Sequence, residues 1–128
     1  MKKLNQLKTL EDACKVEGLD PEKVIPDFSG YPEKDRKSMI AHAKLVIIVR
    51  AANRLANDGT EWIPDFTNAD QWKYEAWFEM RGSSGFRFGV CGRWDSVSRV
   101  GSRLCFISRE VAEYVGKTFI ALYNEYFL

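Results

Sequence analysis

Few side chains in this sequence have the types and spacing that catalysis requires. His42 is the only histidine, and it lies inside a predicted helix, where a packed structural role is more common than catalysis. Glu75 and Glu79 share one face of a predicted strand and could act as paired carboxylates. Bonding across a hairpin to Arg87 is the commoner use of such a glutamate. The pattern favours a protein without a catalytic centre, with an enzyme of unrecognised type as the alternative.

The cysteines and the glycine-flanked serines do not have the pattern of a reactive site either. Cys14, Cys91 and Cys105 are odd in number and lack the C-x-x-C spacing of structural zinc sites. Buried free thiols are favoured, and an oxidised pair of Cys91 and Cys105 across neighbouring strands is the alternative. Ser83–Ser84 lies in a predicted turn and does not resemble a nucleophile elbow. Phosphate-loop and dinucleotide-binding fingerprints are absent, so we expect no catalytic residue, metal site or cofactor.

Arginine and tryptophan side chains provide the main candidate binding surface. Residues 81–109 hold 6 basic residues and 1 acidic residue, and every one of the basic residues is arginine. Guanidinium and indole planes together can hold phosphates and stack on bases, which makes nucleic acid or another polyanion a candidate partner. The candidate surface consists of Trp77, Arg87, Arg93, Trp94, Arg99 and Arg103.

The distribution of charge along the chain also allows internal pairing. Residues 36–57 hold 5 basic residues and no acidic residue, whereas residues 58–80 hold 1 basic and 6 acidic residues. The net charge is only +1, so oppositely charged segments can neutralise one another inside the fold. This pairing is the favoured interpretation, and an anion-binding surface is the alternative.

Residues 72–107 are predicted to form a three-stranded antiparallel β-meander. Apolar and polar residues alternate in Trp72–Arg81, which is the period of a half-buried strand. The alternation resumes in Phe86–Val90 after a turn segment, and again in a predicted third strand, Ser102–Ile107. The predicted cross-strand pairs are Met80 with Phe86, Glu79 with Arg87, Phe78 with Phe88, Trp77 with Gly89, and Ala76 with Val90.

Helix-forming segments flank this meander. Thr9 and Asp12 have the spacing of a capping box for a short N-terminal helix, which Gly18 ends. The run from about 33 to 57 has a wide apolar arc and predicts a long, mostly buried central helix. A strand at residues 46–49 is the alternative there. Ser108 is expected to cap a last helix that extends from 108 to about 126.

These elements predict a single α+β domain over residues 1–128, with residues 1–8 as the segment most open to flexibility. The meander is expected to pack its phenylalanine-rich face against the long central helix and the C-terminal helix, beside the short N-terminal helix. Its opposite face is more apolar than a fully wetted sheet face should be. That face carries Trp77, Cys91, Cys105 and Ile107. We expect a cover, which is either the N-terminal segment of the same chain or a partner protein.

The sequence contains no indication of secretion or of a membrane location. Met1–Lys8 has basic residues without an apolar run after them, so a secretory signal is not expected. The apolar run Leu45–Val49 is far shorter than the ~20 residues needed to cross a bilayer. We therefore expect a cytoplasmic protein that does not enter a membrane.

Several motifs of the chain resemble one protein family. They are Gly101–Phe106 followed by Ser108–Lys117, together with Ala41–Leu45 and Trp62–Phe66. There, and over most of the chain from Glu11 onward, the sequence is similar to a family of small uncharacterised proteins of phages and mobile elements of gut bacteria (Bacteroidetes-type). The family has no assigned activity, cofactor or site residues, so the resemblance implies an origin and no mechanism.

The resemblance and the apolar sheet face together favour a non-catalytic accessory or protein-interaction domain. Its expected partner is an unknown protein or a second copy of the chain. Binding of nucleic acid or another polyanion through the arginine-rich residues 81–109 is the alternative.

Overall fold

Helices make up most of the regular secondary structure among the described residues. A computed structural model describes residues 3–79, 87–94 and 103–127, and for Glu79 and residues 87–94 it describes the backbone alone. The helices are α1 (Leu10–Glu17), α2 (Glu33–Ala56), α3 (Arg109–Thr118) and α4 (Ile120–Phe127), preceded by a 3-10 turn at Leu4–Gln6. The strands are β1 (Lys73–Glu79) and β2 (Arg87–Trp94). No helix in these ranges combines the length and the apolar composition that crossing a bilayer would require.

The short helix α1 begins and ends as its sequence predicts. The backbone N–H of Asp12 donates to Thr9 Oγ1 over 3.1 Å, and the N–H of Thr9 donates to Asp12 Oδ2 over 3.0 Å. These two bonds complete a capping box. Gly18 follows the helix with φ 69°, a left-handed conformation that glycine adopts without a Cβ clash. The predicted cap and the predicted stop are both confirmed.

The long helix α2 is the central element, because α1, α3, α4 and the 3-10 turn all contact it. It continues through residues 46–49, so the alternative strand there is wrong. The predicted wide apolar arc is confirmed by the buried residues Ala41, Leu45, Ile47, Ile48, Val49, Ala51 and Ala52. The helix is followed by Asp58 with φ 54° and Gly59 with φ 84°, where the predicted stop lies.

The antiparallel pair of β1 and β2 has the predicted register next to its connection. Two predicted pairs are confirmed there, namely Phe78 with Phe88 and Glu79 with Arg87. A third predicted pair at this end, formed by residues 80 and 86, lies outside the described residues. The period-two pattern therefore predicted correctly which two segments pair and where their connection lies.

A β-bulge changes the register farther from the connection. Ala76 lies opposite Cys91, although the sequence predicts Val90 at that place. Between the two registers β1 contains Trp77 alone, whereas β2 contains Gly89 and Val90. The predicted one-to-one pairing of Trp77 with Gly89 is therefore wrong. Bulges bend a strand and redirect side chains, and this one lies opposite a tryptophan that is 52% exposed.

The predicted three-stranded meander is wrong, and with it the predicted α+β fold class. The described residues contain a two-stranded sheet of order β1–β2 in a mainly helical fold. The predicted third strand contributes one isolated bridge, in which the Phe106 N–H donates to the Tyr74 carbonyl over 2.7 Å. The Tyr74 N–H donates back to the Phe106 carbonyl over 3.1 Å. Leu104 and Cys105, just before the bridge, are buried together with Phe106.

The side chain of Asn53 in α2 holds this bridged segment in place. Its Nδ2 donates to the carbonyl of Cys105 over 3.0 Å, and its Oδ1 accepts from the N–H of Ile107 over 2.9 Å. Asn53 is 3% exposed, so these bonds form away from water. Between these two positions, the backbone of Phe106 bonds to that of Tyr74 in β1. The segment thus has hydrogen-bond partners on two sides without belonging to a three-stranded sheet.

The predicted last helix is broken into two helices. Ser108 caps α3 as predicted, because its Oγ accepts from the N–H of Val111 over 3.4 Å. Phe119 follows α3 with φ −110° and ψ 29°, and α4 begins at the next residue. Phe119 and Tyr123 are both buried. The helix break places both aromatic side chains in the core. Position 119 is not a glycine or a proline, so the residue at the break does not indicate it in the sequence.

Two long-range hydrogen bonds attach the ends of the chain to the helices. The Tyr114 hydroxyl of α3 donates to the carbonyl of Leu7 over 2.8 Å. Leu4 and Leu7 are both buried in the core, so this bond joins a packed N-terminal segment to α3. At the other end, Ser38 Oγ of α2 donates to the carbonyl of Tyr126 over 2.6 Å.

Replacing Asn53 should destabilise the fold much more than replacing an exposed asparagine. In Asn53→Ala the Cys105 carbonyl and the Ile107 N–H lose their partner in a buried place, which should cost about 2 kcal/mol or more. The free energy of unfolding, measured by urea titration, tests this expectation. Asn124→Ala on the exposed face of α4 is the matched control, and equal losses in the two variants would contradict the role of Asn53.

Candidate binding surface

His42 is packed against another ring and has no arrangement suited to proton transfer. Its ring centroid lies 4.9 Å from that of Tyr126, at an interplanar angle of 37°. In the part of the chain that the structure describes, no carboxylate bonds to this imidazole to orient it, as a catalytic base requires. The same part contains no group of three or more His, Cys, Asp or Glu side chains that could hold a metal ion. The histidine joins α2 to α4 by ring packing.

The two described cysteines are buried free thiols, as predicted. Cys14 is 0% exposed and Cys105 is 1% exposed. Burial, together with the nearby charge of Glu75, raises the pKa of Cys105 to about 12. Burial also raises the pKa of Cys14. A thiol that stays protonated at neutral pH is a poor nucleophile. Cys105 is not in a disulfide, and the side chain of its predicted alternative partner, Cys91, lies outside the described residues.

The chain itself covers part of the sheet face that was predicted to be apolar and half-exposed. Lys73 is 0% exposed, although its place in the alternation predicted a wetted side chain. Its Nζ donates to the Asn68 carbonyl over 3.0 Å and lies 5.8 Å from the centroid of the Phe66 ring. The cover at this point is therefore the connection between α2 and β1. The predicted pair of carboxylates includes Glu79, whose side chain lies outside the described residues.

An apolar groove lies beside the exposed Trp77. It has a volume of about 350 Å³ and is lined by Ala76, Trp77 and Phe78 of β1 and by Phe127 of α4. Trp77 is 52% exposed and Phe127 is 48% exposed. Two large aromatic side chains with half of their surface in water, on one groove, are unusual for a surface that binds nothing.

An aromatic cluster supports one wall of this groove. The Phe78 ring lies 4.6 Å from that of Tyr123 and 6.1 Å from that of Phe127, and the Tyr123 and Phe127 rings are 6.3 Å apart. Tyr123 is 3% exposed, and its buried hydroxyl has no hydrogen-bond partner among the residues that the structure describes. Burial raises the pKa of Tyr123 above its ordinary value. The groove therefore rests on a packed layer rather than on mobile side chains.

The structure brings together only part of the predicted binding surface. Trp77 lines the groove, whereas Arg103 is exposed at a different cleft. The backbone of Arg87, Arg93 and Trp94 lies in β2, and their side chains lie outside the described part. Arg99 lies outside the described residues altogether.

Phe127 is the groove residue that the sequence reasoning missed. In the sequence, an apolar stripe at helical spacing predicts the buried side of the last helix and consists of Val111, Val115, Phe119, Leu122, Tyr123 and Tyr126. Phe127 stands one residue off that stripe. The break at Phe119 starts a new helix, so the phase of the stripe before the break does not carry over to α4. An aromatic residue beside the stripe, in the last turn of a helix, was the only available indication.

Acidic side chains of other segments neutralise part of the positive charge of α2. This agrees, at Arg54, with the favoured interpretation that oppositely charged segments pair inside the fold. Arg54 Nε donates to Glu17 Oε2 over 2.7 Å, and Arg54 Nη2 lies 3.7 Å from Glu61 Oε1. The bond to Glu17 raises the pKa of Arg54. Arg36 Nε donates to the carbonyl of Tyr31 over 2.8 Å.

Comparison with protein-family models, with curated proteins and with solved structures found no match to this chain.

A matched pair of tyrosine variants tests whether the buried Tyr123 hydroxyl lacks a hydrogen-bond partner. Tyr123→Phe removes a buried group that has no partner, so the free energy of unfolding should stay equal or rise by up to about 1 kcal/mol. Tyr114→Phe removes the donor to the Leu7 carbonyl and should lower it by about 1 kcal/mol. Urea titration of both variants measures the difference. A larger loss in Tyr123→Phe than in Tyr114→Phe would mean that the Tyr123 hydroxyl has a partner.

Proposed function

We propose that this chain is a non-catalytic accessory or protein-interaction domain that docks a protein partner at the groove beside Trp77. The single observation that supports this most strongly is the pairing of two half-exposed aromatic residues, Trp77 and Phe127, across one apolar groove of about 350 Å³. Tryptophan is the residue type most enriched among the anchors of protein interfaces. The groove is the natural place for a side chain of the partner.

The physical state of the groove supports docking rather than chemistry. The backbone of Trp77 is held in a β-bulge, and Phe78 behind the groove packs on the buried Tyr123. A preorganised aromatic surface loses little conformational entropy when a partner binds. The groove lining contains no described titratable side chain that could act as an acid, a base or a nucleophile.

We also propose that the protein is cytoplasmic and comes from a phage or mobile element. The sequence resemblance supports this origin. The buried free thiols of Cys14 and Cys105 agree with a reducing compartment, where disulfides are rare. The partner is then another protein of the same element or its host, or a second copy of this chain.

Binding of nucleic acid or another polyanion through residues 81–109 remains the second candidate function. The observation that favours it is Arg103, which is exposed and makes no hydrogen bond or ion pair with any described residue. An exposed guanidinium without a protein partner is available to a phosphate.

Trp77→Ala tests the proposed docking. Loss of an interface anchor should weaken the partner complex by at least about thirtyfold, the equivalent of about 2 kcal/mol. The first measurement is sedimentation of the purified chain over a range of concentrations, which detects a second copy as the partner. If the chain is monomeric throughout, affinity capture from the native host, with wild-type and Trp77→Ala baits compared, detects another protein.

The control for this experiment is Tyr31→Ala, which removes a 44% exposed aromatic residue that does not line the groove. It should retain both self-association and captured proteins. If Trp77→Ala and wild type give the same sedimentation and the same captured proteins, the groove is not a docking site.

The nucleic-acid alternative has a separate signature in its dependence on salt. Binding to mixed single-stranded nucleic acid should weaken steeply as salt rises, because phosphate contacts release counterions. Arg103→Gln should reduce the slope of log affinity against log salt by about 1, while Lys23→Gln, an exposed lysine outside residues 81–109, should leave it unchanged. The absence of salt-dependent binding in the wild type would rule out this alternative.

A further inference from the structure

A second cleft, separate from the aromatic groove, lies between α2 and the connection that follows it. It has a volume of about 40 Å³ and contains Arg50 and Asn53 of α2, Glu61 and Trp62 of the connection, and Arg103. A cleft of this size holds a group of a few atoms, whereas whole small-molecule ligands occupy pockets of about 300–1,000 Å³. If it binds anything, it binds one end of a larger molecule or a small ion.

The two arginines of this cleft, Arg50 and Arg103, differ in their bonding from Arg36 and Arg54 of α2. Neither Arg50 nor Arg103 makes a hydrogen bond or an ion pair with a described residue. In contrast, Arg54 bonds to Glu17, and Arg36 bonds to a backbone carbonyl. Two guanidinium groups that no described residue engages, at one small cleft, leave several N–H donors available there.

Two other polar side chains of the cleft already have partners. Glu61 lies 3.7 Å from Arg54, so its negative charge is shared with an arginine outside the cleft lining. Both ends of the Asn53 amide bond to the backbone at Cys105 and Ile107. Among the described residues, the side-chain donors of the cleft that have no partner are therefore the two guanidinium groups and the indole N–H of Trp62.

The fold brings these two arginines together although they are distant in the chain. Arg50 is one helical turn before Asn53 and on the same side of α2. Arg103 is two residues before Cys105, whose carbonyl Asn53 holds over 3.0 Å. The same buried amide that attaches the bridged segment to α2 thus places Arg103 beside Arg50.

We propose that this cleft binds a single oxyanion group, either a phosphate or a carboxylate, between Arg50 and Arg103. The planar guanidinium fork matches both groups, because each presents two oxygens at the right spacing. Val46, Val49 and Trp62 form apolar walls next to the arginines, and a less polar surrounding strengthens a charge-assisted bond. This site is independent of the groove beside Trp77.

Nuclear magnetic resonance at constant ionic strength tests the proposal on the full chain. The indole N–H resonance of Trp62, assigned with Trp62→Phe, reports on the cleft while inorganic phosphate, acetate, or a short peptide with a free or an amidated carboxyl end is added. We expect a saturable shift with phosphate or with the free carboxylates. Tighter binding of phosphate identifies a phosphate-bearing ligand, and tighter binding of the free peptide than of the amidated one identifies a chain-terminal carboxylate.

Charge-matched variants separate a built site from general attraction. Arg50→Gln and Arg103→Gln should each weaken binding about tenfold or more, since each removes a charge-assisted bond. Arg103 is exposed, so its variant keeps the test valid even if Arg50→Gln unfolds. Lys34→Gln removes the same charge from an exposed residue of α2 that is roughly 24 Å along the helix from Arg50, and it should bind like the wild type.

Two results would overturn the proposal. One is the absence of a saturable Trp62 shift with every probe, and the other is equal weakening in Lys34→Gln and the two arginine variants. Trp77→Ala should leave the Trp62 shift unchanged, so the result does not depend on whether the aromatic groove docks a protein.

Discussion

The described fold depends on how the backbone of a short, largely buried segment, residues 105–107, finds its hydrogen-bond partners. Phe106 exchanges two bonds with Tyr74 on one side, and the carbonyl of Cys105 and the N–H of Ile107 bond to Asn53 on the other. A single amide side chain has one donor and one acceptor end, which is what two alternate backbone groups of an extended segment require. Asn53 therefore replaces a neighbouring strand. Through it the long helix and the two-stranded sheet are joined by directional bonds as well as by apolar contact.

This arrangement explains why the boundaries of α1 follow from the sequence and the third strand does not. The capping box of Thr9 with Asp12, and the left-handed Gly18, are local features that need only their own neighbours. The segment at 104–106 has its residues buried in succession, at 9%, 1% and 0% exposure, because β1 lies on one side and α2 on the other. Leu104 and Phe106 alternate with a small apolar residue, and that pattern is also typical of a half-buried strand. The distinction depends on Asn53, which is far away in the chain.

The candidate sites were less predictable for the same reason. Trp77 and Arg103 were recognised as residue types that bind, but the structure places them at different sites. Each gains its partner from a distant element: Phe127 at the groove and Arg50 at the second cleft. The bulge opposite Trp77 has one local marker, Gly89 in β2, which the sequence prediction paired one-to-one with Trp77, whereas position 119 contains no glycine or proline to mark the helix break. Both features follow from tertiary packing, which residue spacing alone does not encode.

The charge pattern shows why net charge is a poor guide to binding in this chain. Arg54 is the basic residue that engages acidic residues of two other segments, with Glu17 at 2.7 Å and Glu61 at 3.7 Å. The Glu17 side chain is only 4% exposed, so it needs a positive partner, and a buried carboxylate left alone would be strongly destabilising. Arg54 is thus engaged in a structural ion pair with Glu17, and it also partly neutralises the charge of Glu61. A net charge near zero is compatible with a local excess of positive charge. Arg54 is neutralised by glutamates, whereas Arg50 and Arg103 remain as the guanidinium groups available at the second cleft.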